Sequence, residues 1–190
     1  MHSFTYDEAF SRNIGWLTHP EQEQLRRKRV AIAGLGGVGG VHLMTLCRLG
    51  IGKFHLADFD SFDLANFNRQ AGASMSSIGQ PKAQVMAKLA RDINPELDIR
   101  VFDEGGQPHN VDAFLDGVDL YVDGLDYFVF DARRLVYDAC RARVECPIYH
   151  ARHFGQPPYR VAMTWRAGFE MRDELCAVAV AELEQAHELA

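Results

Sequence analysis

Apolar and polar positions change period repeatedly along this chain, and each change marks an element. Tyr6 to Leu17 carries apolar residues at helical spacing and predicts an amphipathic helix. Pro20 to Lys28 reads as a second, charged helix, with Pro20 in its first turn. RVAIAGLG, from Arg29, is a run of small and β-branched residues, the pattern of a strand buried on both faces. Gly37 to Leu49 is helical, KFHLADFD is a second strand ending in acid, and Ser61 to Ser77 is a long polar loop. Gln80 to Asn94 is a helix opened by Pro81, and DIRVF and GVDLYVDGLD are the third and fourth strands. Phe128 to Ala142 is a helix, CPIYHA and YRVAMTW are further strands, and Glu174 to Ala190 is a closing helix. Strands alternating with helices predict an α/β fold: a Rossmann-like, doubly wound, mostly parallel sheet flanked by helices.

Composition narrows this little. The chain has 190 residues, 47% apolar and 24% charged, so one globular unit is expected. Its net charge of -6 argues against a general nucleic-acid binder, which needs a basic surface. Arg26, Arg27, Lys28 and Arg29 form one short basic run, read as a solvated helix end. The cysteines, Cys47, Cys140, Cys146 and Cys176, have no CxxC spacing, so neither a zinc site nor a disulfide framework is expected from them. His150 and His153 form a lone H-x-x-H, read as strand-end residues rather than a metal pair. No apolar run reaches the length of a membrane span, and residues 1–20 lack a signal-peptide core, so a cytoplasmic protein is expected.

The candidate chemistry begins at AIAGLGGVGG. Gly34, Gly36 and Gly39 satisfy G-x-G-x-x-G between a strand and a helix. Gly34 permits the tight turn, Gly36 lets backbone approach a phosphate, and Gly39 lets the helix pack on the strand. Asp58 closes the second strand, where an acid holds ribose hydroxyls. This motif alone does not choose between NAD and ATP, and no G-x-x-x-x-G-K-[ST] is present. Beyond Asp58, however, come Asn66, Arg69 and Lys82, a polar group and two cations suited to a triphosphate, and both cations are expected to stand exposed in the empty pocket. Asp126 ends the fourth strand, and a carboxylate beside phosphates is how Mg²⁺ is usually held.

The set GLGGVGG, GIGKFHLADFDSFDLANFNRQ, IGQPKAQ, INPELDI and DLYVDGLD resembles, in order and spacing, the ThiF/MoeB family, whose adenylation fold is shared with ubiquitin-activating enzymes. The resemblance runs from about Phe10 to Ile148. It implies ATP and Mg²⁺ as cofactors and adenylation of a carboxylate, usually the C-terminus of a small ubiquitin-like protein or a peptide. It implies that Gly34, Gly36, Gly37 and Gly39 line the nucleotide, that Asp58 holds ribose with Asp60 beside it, that Asn66, Arg69 and Lys82 contact phosphates, and that Asp126 binds Mg²⁺. FSRN resembles the segment whose arginine crosses a dimer interface, which points to Arg12 and a homodimer. A helical face of Phe4, Phe10, Ile14 and Leu17 is expected to meet the partner subunit. The expected organisation is an N-terminal arm over 1–28, an adenylation domain over 29–168 and a terminal helix over 169–190.

Three departures stand out. The two CxxC pairs of zinc-carrying members are absent, so no zinc is expected. Tyr127 follows Asp126 where many members have asparagine. The chain stops soon after the sixth strand, as a minimal member or a fragment would. Cys176 is the one candidate for a thioester or persulfide, and its place beside Leu175 and Val178 favours packing. Two alternatives remain: an NAD-dependent oxidoreductase on the same glycine loop, or a catalytically silent adenylation-like scaffold.

Overall fold

The computed structural model describes residues 3–126, 128–143 and 148–150. Five parallel strands, β1 (Arg29–Ala33), β2 (Lys53–Ala57), β3 (Asp98–Phe102), β4 (Leu120–Asp123) and β5 (Ile148–His150), form one sheet in the order β3-β2-β1-β4-β5. All four pairings within this sheet are parallel, as the expectation of a mostly parallel sheet required. The order reverses between β1 and β4, which opens a crevice at the carboxyl ends of those two strands.

Side-chain size alternates along β1 and assigns the two faces. Val30 and Ile32 join Leu43, Phe54, Leu56 and Met86 beneath α3 (Gly37–Arg48) and α4 (Lys82–Ile93). Ala31 and Ala33 face the other way and leave room for Phe114, Tyr121 and Tyr137, beneath α5 (Val111–Phe114) and α6 (Phe130–Arg141). There Phe102, Phe114, Tyr121 and Tyr137 follow one another edge to face, with centroids 5.3, 6.2 and 6.3 Å apart.

The N-terminal segment departs from its periodicity. α1 covers only Tyr6–Ala9, and Ser11–Asn13 is a 3-10 turn rather than a continuation to Leu17. Tyr6 is drawn inward, its hydroxyl donating to the Gly50 carbonyl at 2.5 Å, and Gly15 turns the chain at φ 111°. The phenol is held above its ordinary pKa, chiefly by burial. The next helix, α2 (His19–Arg27), begins one residue before the expected start, because Thr18 and Glu21 form a capping box. Gln80 to Asn94 shortens to α4, with Pro81 as its N-cap. The loop over 61–77 holds a 3-10 turn at Leu64–Asn66, and α5 was not expected at all. The sixth strand, the closing helix, Cys146, Cys176 and His153 lie outside the described residues. Cys47 and Cys140 are buried thiols with no disulfide bond, and burial pushes the Cys47 thiol up to about 11, which suits a packing group. None of the described helices is long and apolar enough to cross a membrane.

One buried group makes the fold pH-dependent. His55 is 5% exposed, and its Nδ1 lies 2.8 Å from the Phe114 carbonyl, which selects the Nδ1–H tautomer. Burial lowers its pKa from 6.5; Arg29 and Arg100 push the same way, against the Phe114 carbonyl and Asp98. A lowered folded pKa means that the unfolded chain binds the proton first. Stability is therefore full above about pH 6.5 and is lost as pH falls through the folded value. Urea midpoints should drop between pH 7.5 and 5.5, and His55→Asn should flatten that drop. His42, also lowered by burial, leaves a remainder.

Candidate functional site

The glycine loop is shaped by three backbones in contact. Gly34 leaves β1 at φ 80°, a conformation that an L side chain resists. Its N–H donates to the Ala57 carbonyl at 2.8 Å. A Cβ on Gly39 would stand 1.8 Å from the Gly34 carbonyl oxygen, and one on Gly34 2.4 Å from that of Gly124. Gly124 is thus as essential to the turn as the two motif glycines, since its N–H also donates to Ala33 at 2.8 Å. Nothing in a local motif marks it, because it arrives from β4, across the switch point. The start of α3 follows at Gly37, with Gly36 as an N-cap that has no side-chain cap. Free N–H groups and the helix dipole therefore face an incoming anion.

Asp58 stands directly beyond β2. One carboxylate oxygen accepts the Leu35 N–H at 2.6 Å, and the other accepts the Asp60 N–H at 2.8 Å. The carboxylate so ties the glycine loop to the strand beside it. Burial raises its pKa, opposed by those two N–H groups and by Lys82.

Lys82 opens α4, and its ammonium lies 3.0 Å from an Asp60 oxygen. Its side chain is only 8% exposed, whereas that of Asp60 is 53% exposed. The expectation that Lys82 stands exposed, like Arg69, is therefore corrected. The Lys82 N–H donates to the Asp60 carbonyl at 2.8 Å, and this second tie pulls the first turn of α4 under the strand-end loop. Arg69 is exposed as expected. Its stem lies over Gly37, with Cγ 3.6 Å from the place of a Cβ there, and its guanidinium is turned to Ala65 and Asn68, 3.0 Å from each.

Asn66 lies at the end of its 3-10 turn and accepts the Asp63 N–H at 3.0 Å, so it shapes the loop as well as facing it. Asp126 is exposed beyond β4, and its backbone carbonyl accepts from the Arg133 guanidinium at 3.1 Å. Among the described residues no three His, Cys, Asp or Glu side chains gather as a metal cage. Asp126 is thus a single exposed acid, and Mg²⁺ is usually held by one or two carboxylates together with waters and phosphate oxygens.

The geometry brings Gly34, Gly36, Gly37, Gly39, Asp58, Asp60, Arg69 and Lys82 to the glycine-loop rim. Arg12 lies apart from them, exposed on the Ser11–Asn13 turn. The apolar face expected to await a partner is partly covered by the chain itself. Phe10 is 5% exposed and packs on Tyr6, with centroids 4.5 Å apart. Trp16, at 93% exposed, is the prominent uncovered group of that segment.

Two supports were absent from the sequence reading. Asp123 is fully buried at the end of β4 and pairs with Arg133 at 2.7 Å. It also accepts the Tyr137 hydroxyl at 2.8 Å and the Leu125 N–H at 3.0 Å. Burial and the Asp123 charge keep the Tyr137 phenol protonated, so it donates. Arg133 reaches onward to the Leu125 and Asp126 carbonyls and so fixes the turn that carries Asp126. The basic run of α2 and β1 is neutralised: Arg26 meets Glu96 at 3.0 Å, Lys28 meets Asp119 at 2.6 Å and Arg29 meets Asp98 at 3.1 Å. The reading as a solvated helix end agrees with that pairing.

With this geometry in hand, similarity to known proteins is informative. A profile of the ThiF family matches residues 10–155. The tRNA threonylcarbamoyladenosine dehydratase of Bacillus subtilis (strain 168) is 41% identical over 90 residues, which span 47% of this chain and 35% of that protein. Ubiquitin-like modifier-activating enzyme 5 of Aedes aegypti is 43% identical over 79 residues, 42% of this chain and 20% of that protein. Among solved structures, the E. coli tRNA N6-threonylcarbamoyladenosine dehydratase in complex with ATP superposes with a TM-score of 0.74 at 28% identity. That match covers 83% of this chain and 65% of the solved one, so this chain spans only part of the length of its relatives.

Proposed function

Because this chain belongs to the ThiF family, whose members are adenylating enzymes, we propose that it binds ATP with Mg²⁺ and adenylates a carboxylate, releasing pyrophosphate. The carrying observation is the convergence of an anion-ready glycine loop, a ribose-side acid and two cations on one rim. On this reading Asp58 holds the ribose hydroxyls. The N–H groups at Gly36 and Gly37 face the phosphates, and Arg69 and Lys82 neutralise them. Asp126 is the residue that would hold Mg²⁺, which adds positive charge at the phosphates when bound.

The attacking carboxylate and the α-phosphate are both anionic. Catalysis is therefore positioning and charge neutralisation, without a protein nucleophile. Lys82 must share its ammonium between Asp60 and the triphosphate, whereas Arg69 needs only to swing out from Ala65 and Asn68. A dinucleotide dehydrogenase explains none of these cations.

For the acyl substrate we favour the C-terminal carboxylate of a peptide or ubiquitin-like protein. Ubiquitin-like modifier-activating enzyme 5 supports that side. The dehydratases act, by name, on a tRNA nucleoside bearing a threonine-derived carboxylate, and that is the second reading. The net charge of -6 and the acid-paired basic run favour the peptide. A homodimer that lends Arg12 to its partner's triphosphate belongs to the same proposal, as does residence in the cytoplasm.

The test is thermal melting followed by ATP–pyrophosphate exchange. A ligand that binds only the native state raises apparent stability. ATP with Mg²⁺ should raise the melting temperature, and NAD at equal concentration should not. The reverse would return the glycine loop to a dinucleotide role. Exchange stimulated by a Gly-Gly-ending protein supports the peptide reading; exchange stimulated only by modified tRNA supports the other.

A further inference from the structure

Gln70 directly follows Arg69, is 8% exposed, and lies against the glycine loop. Its Nε2 stands 3.3 Å from where a Cβ on Gly36 would be, at the uncapped start of α3. Its Oε1 is buried without a hydrogen-bond partner. The backbone of Gln70 needs no help from that side chain, since its N–H donates to Asn66 at 2.9 Å and its carbonyl accepts from Ala73 at 3.0 Å. An amide buried with one end unsatisfied is less stable than an apolar side chain of the same shape. Stability therefore does not account for an amide here, whereas its Nε2, a donor held against the start of α3, is placed for an acceptor atom of a ligand at the loop.

We propose that Gln70 is a phosphate-contacting residue of the nucleotide site. This inference rests on the adenylation reading above. Its carboxamide N–H donates to a phosphate oxygen seated over Gly36 and Gly37. Arg69 and Gln70 then act as a pair on adjacent residues: a mobile charge outside, and a neutral, packed donor inside. A neutral donor suits the inner place, because a second buried cation there would need its own counter-ion in the nucleotide-free protein.

Gln70→Met keeps length and volume while removing the donor, and Gln70→Leu repeats the comparison with a branched chain. Calorimetric titration of each variant with ATP–Mg²⁺ and with adenosine, together with a melt of the nucleotide-free protein, separates the roles. We expect the ATP dissociation constant to rise tenfold or more and that for adenosine to stay within twofold. The melting temperature of the nucleotide-free protein should stay the same or rise, since an unsatisfied amide is gone. An ATP affinity within twofold of wild type overturns the assignment. So does a parallel loss of ATP and adenosine, or a lowered melting temperature, each of which makes Gln70 a packing residue. A wild-type protein that binds no ATP overturns the nucleotide reading itself, a result distinct from any of these.

Discussion

Lys82→Ala is expected to weaken ATP binding and any pyrophosphate exchange by about tenfold to a hundredfold, on the order of 1.4–3 kcal/mol. Two losses combine. The triphosphate loses a cation held in a largely dehydrated place, where charge is screened less than at the surface. Asp60 also loses its ammonium, and its N–H is one of the two donors that orient Asp58. Asp58 in turn holds the glycine loop through Leu35. The fold should lose little, because Asp60 keeps half its side chain in water and can be solvated there. Isothermal titration with ATP–Mg²⁺ checks the first claim and a melt checks the second. An ATP affinity within twofold of wild type would place the triphosphate elsewhere.

The largest effect on stability is expected from Arg133→Met. The Arg133 and Asp123 side chains are 5% and 0% exposed, so this ion pair is screened by protein rather than by water. Removing one partner of a buried pair typically costs about 3–5 kcal/mol, because the other charge stays behind. Set against a total of roughly 5–15 kcal/mol for a domain, that is a large fraction. Replacing both, as Asp123→Leu with Arg133→Met, should be milder than the single change, since no charge is left buried. Urea unfolding of the three variants measures the difference. A single mutant within about 1 kcal/mol of wild type would show that Asp123 is satisfied without Arg133. The pair also matters to the site, because Arg133 holds the turn of Asp126 through two backbone carbonyls.

Much of this was legible in the amino-acid order. The runs RVAIA, KFHLA and LYVD are strands because small, aromatic and β-branched residues there suit a sheet covered on both faces, and DIRVF, with Asp98 and Arg100 exposed, is a half-covered edge strand. The glycine spacing announced the turn, and Asp58 announced the end of β2, since both are consequences of positions close in sequence. The same period misled over Tyr6 to Leu17, where an apolar stripe cannot reveal that Tyr6 docks on Gly50, far along the chain. Other features could not be read from one segment. Gly124 is needed because β4 passes within contact of Gly34 and Gly39. Lys82 is buried because α4 starts beneath Asp60. Asp123 meets Arg133 because a strand end and the first turn of α6 face one another. Gln70 lies against Gly36 because a loop folds back over the start of α3. Periodicity and motif spacing therefore determined the elements, their α/β order and the positions of the acids and cations. Only the tertiary structure decided which charges are buried and which backbones touch, because burial and close approach arise between segments that local pattern does not connect.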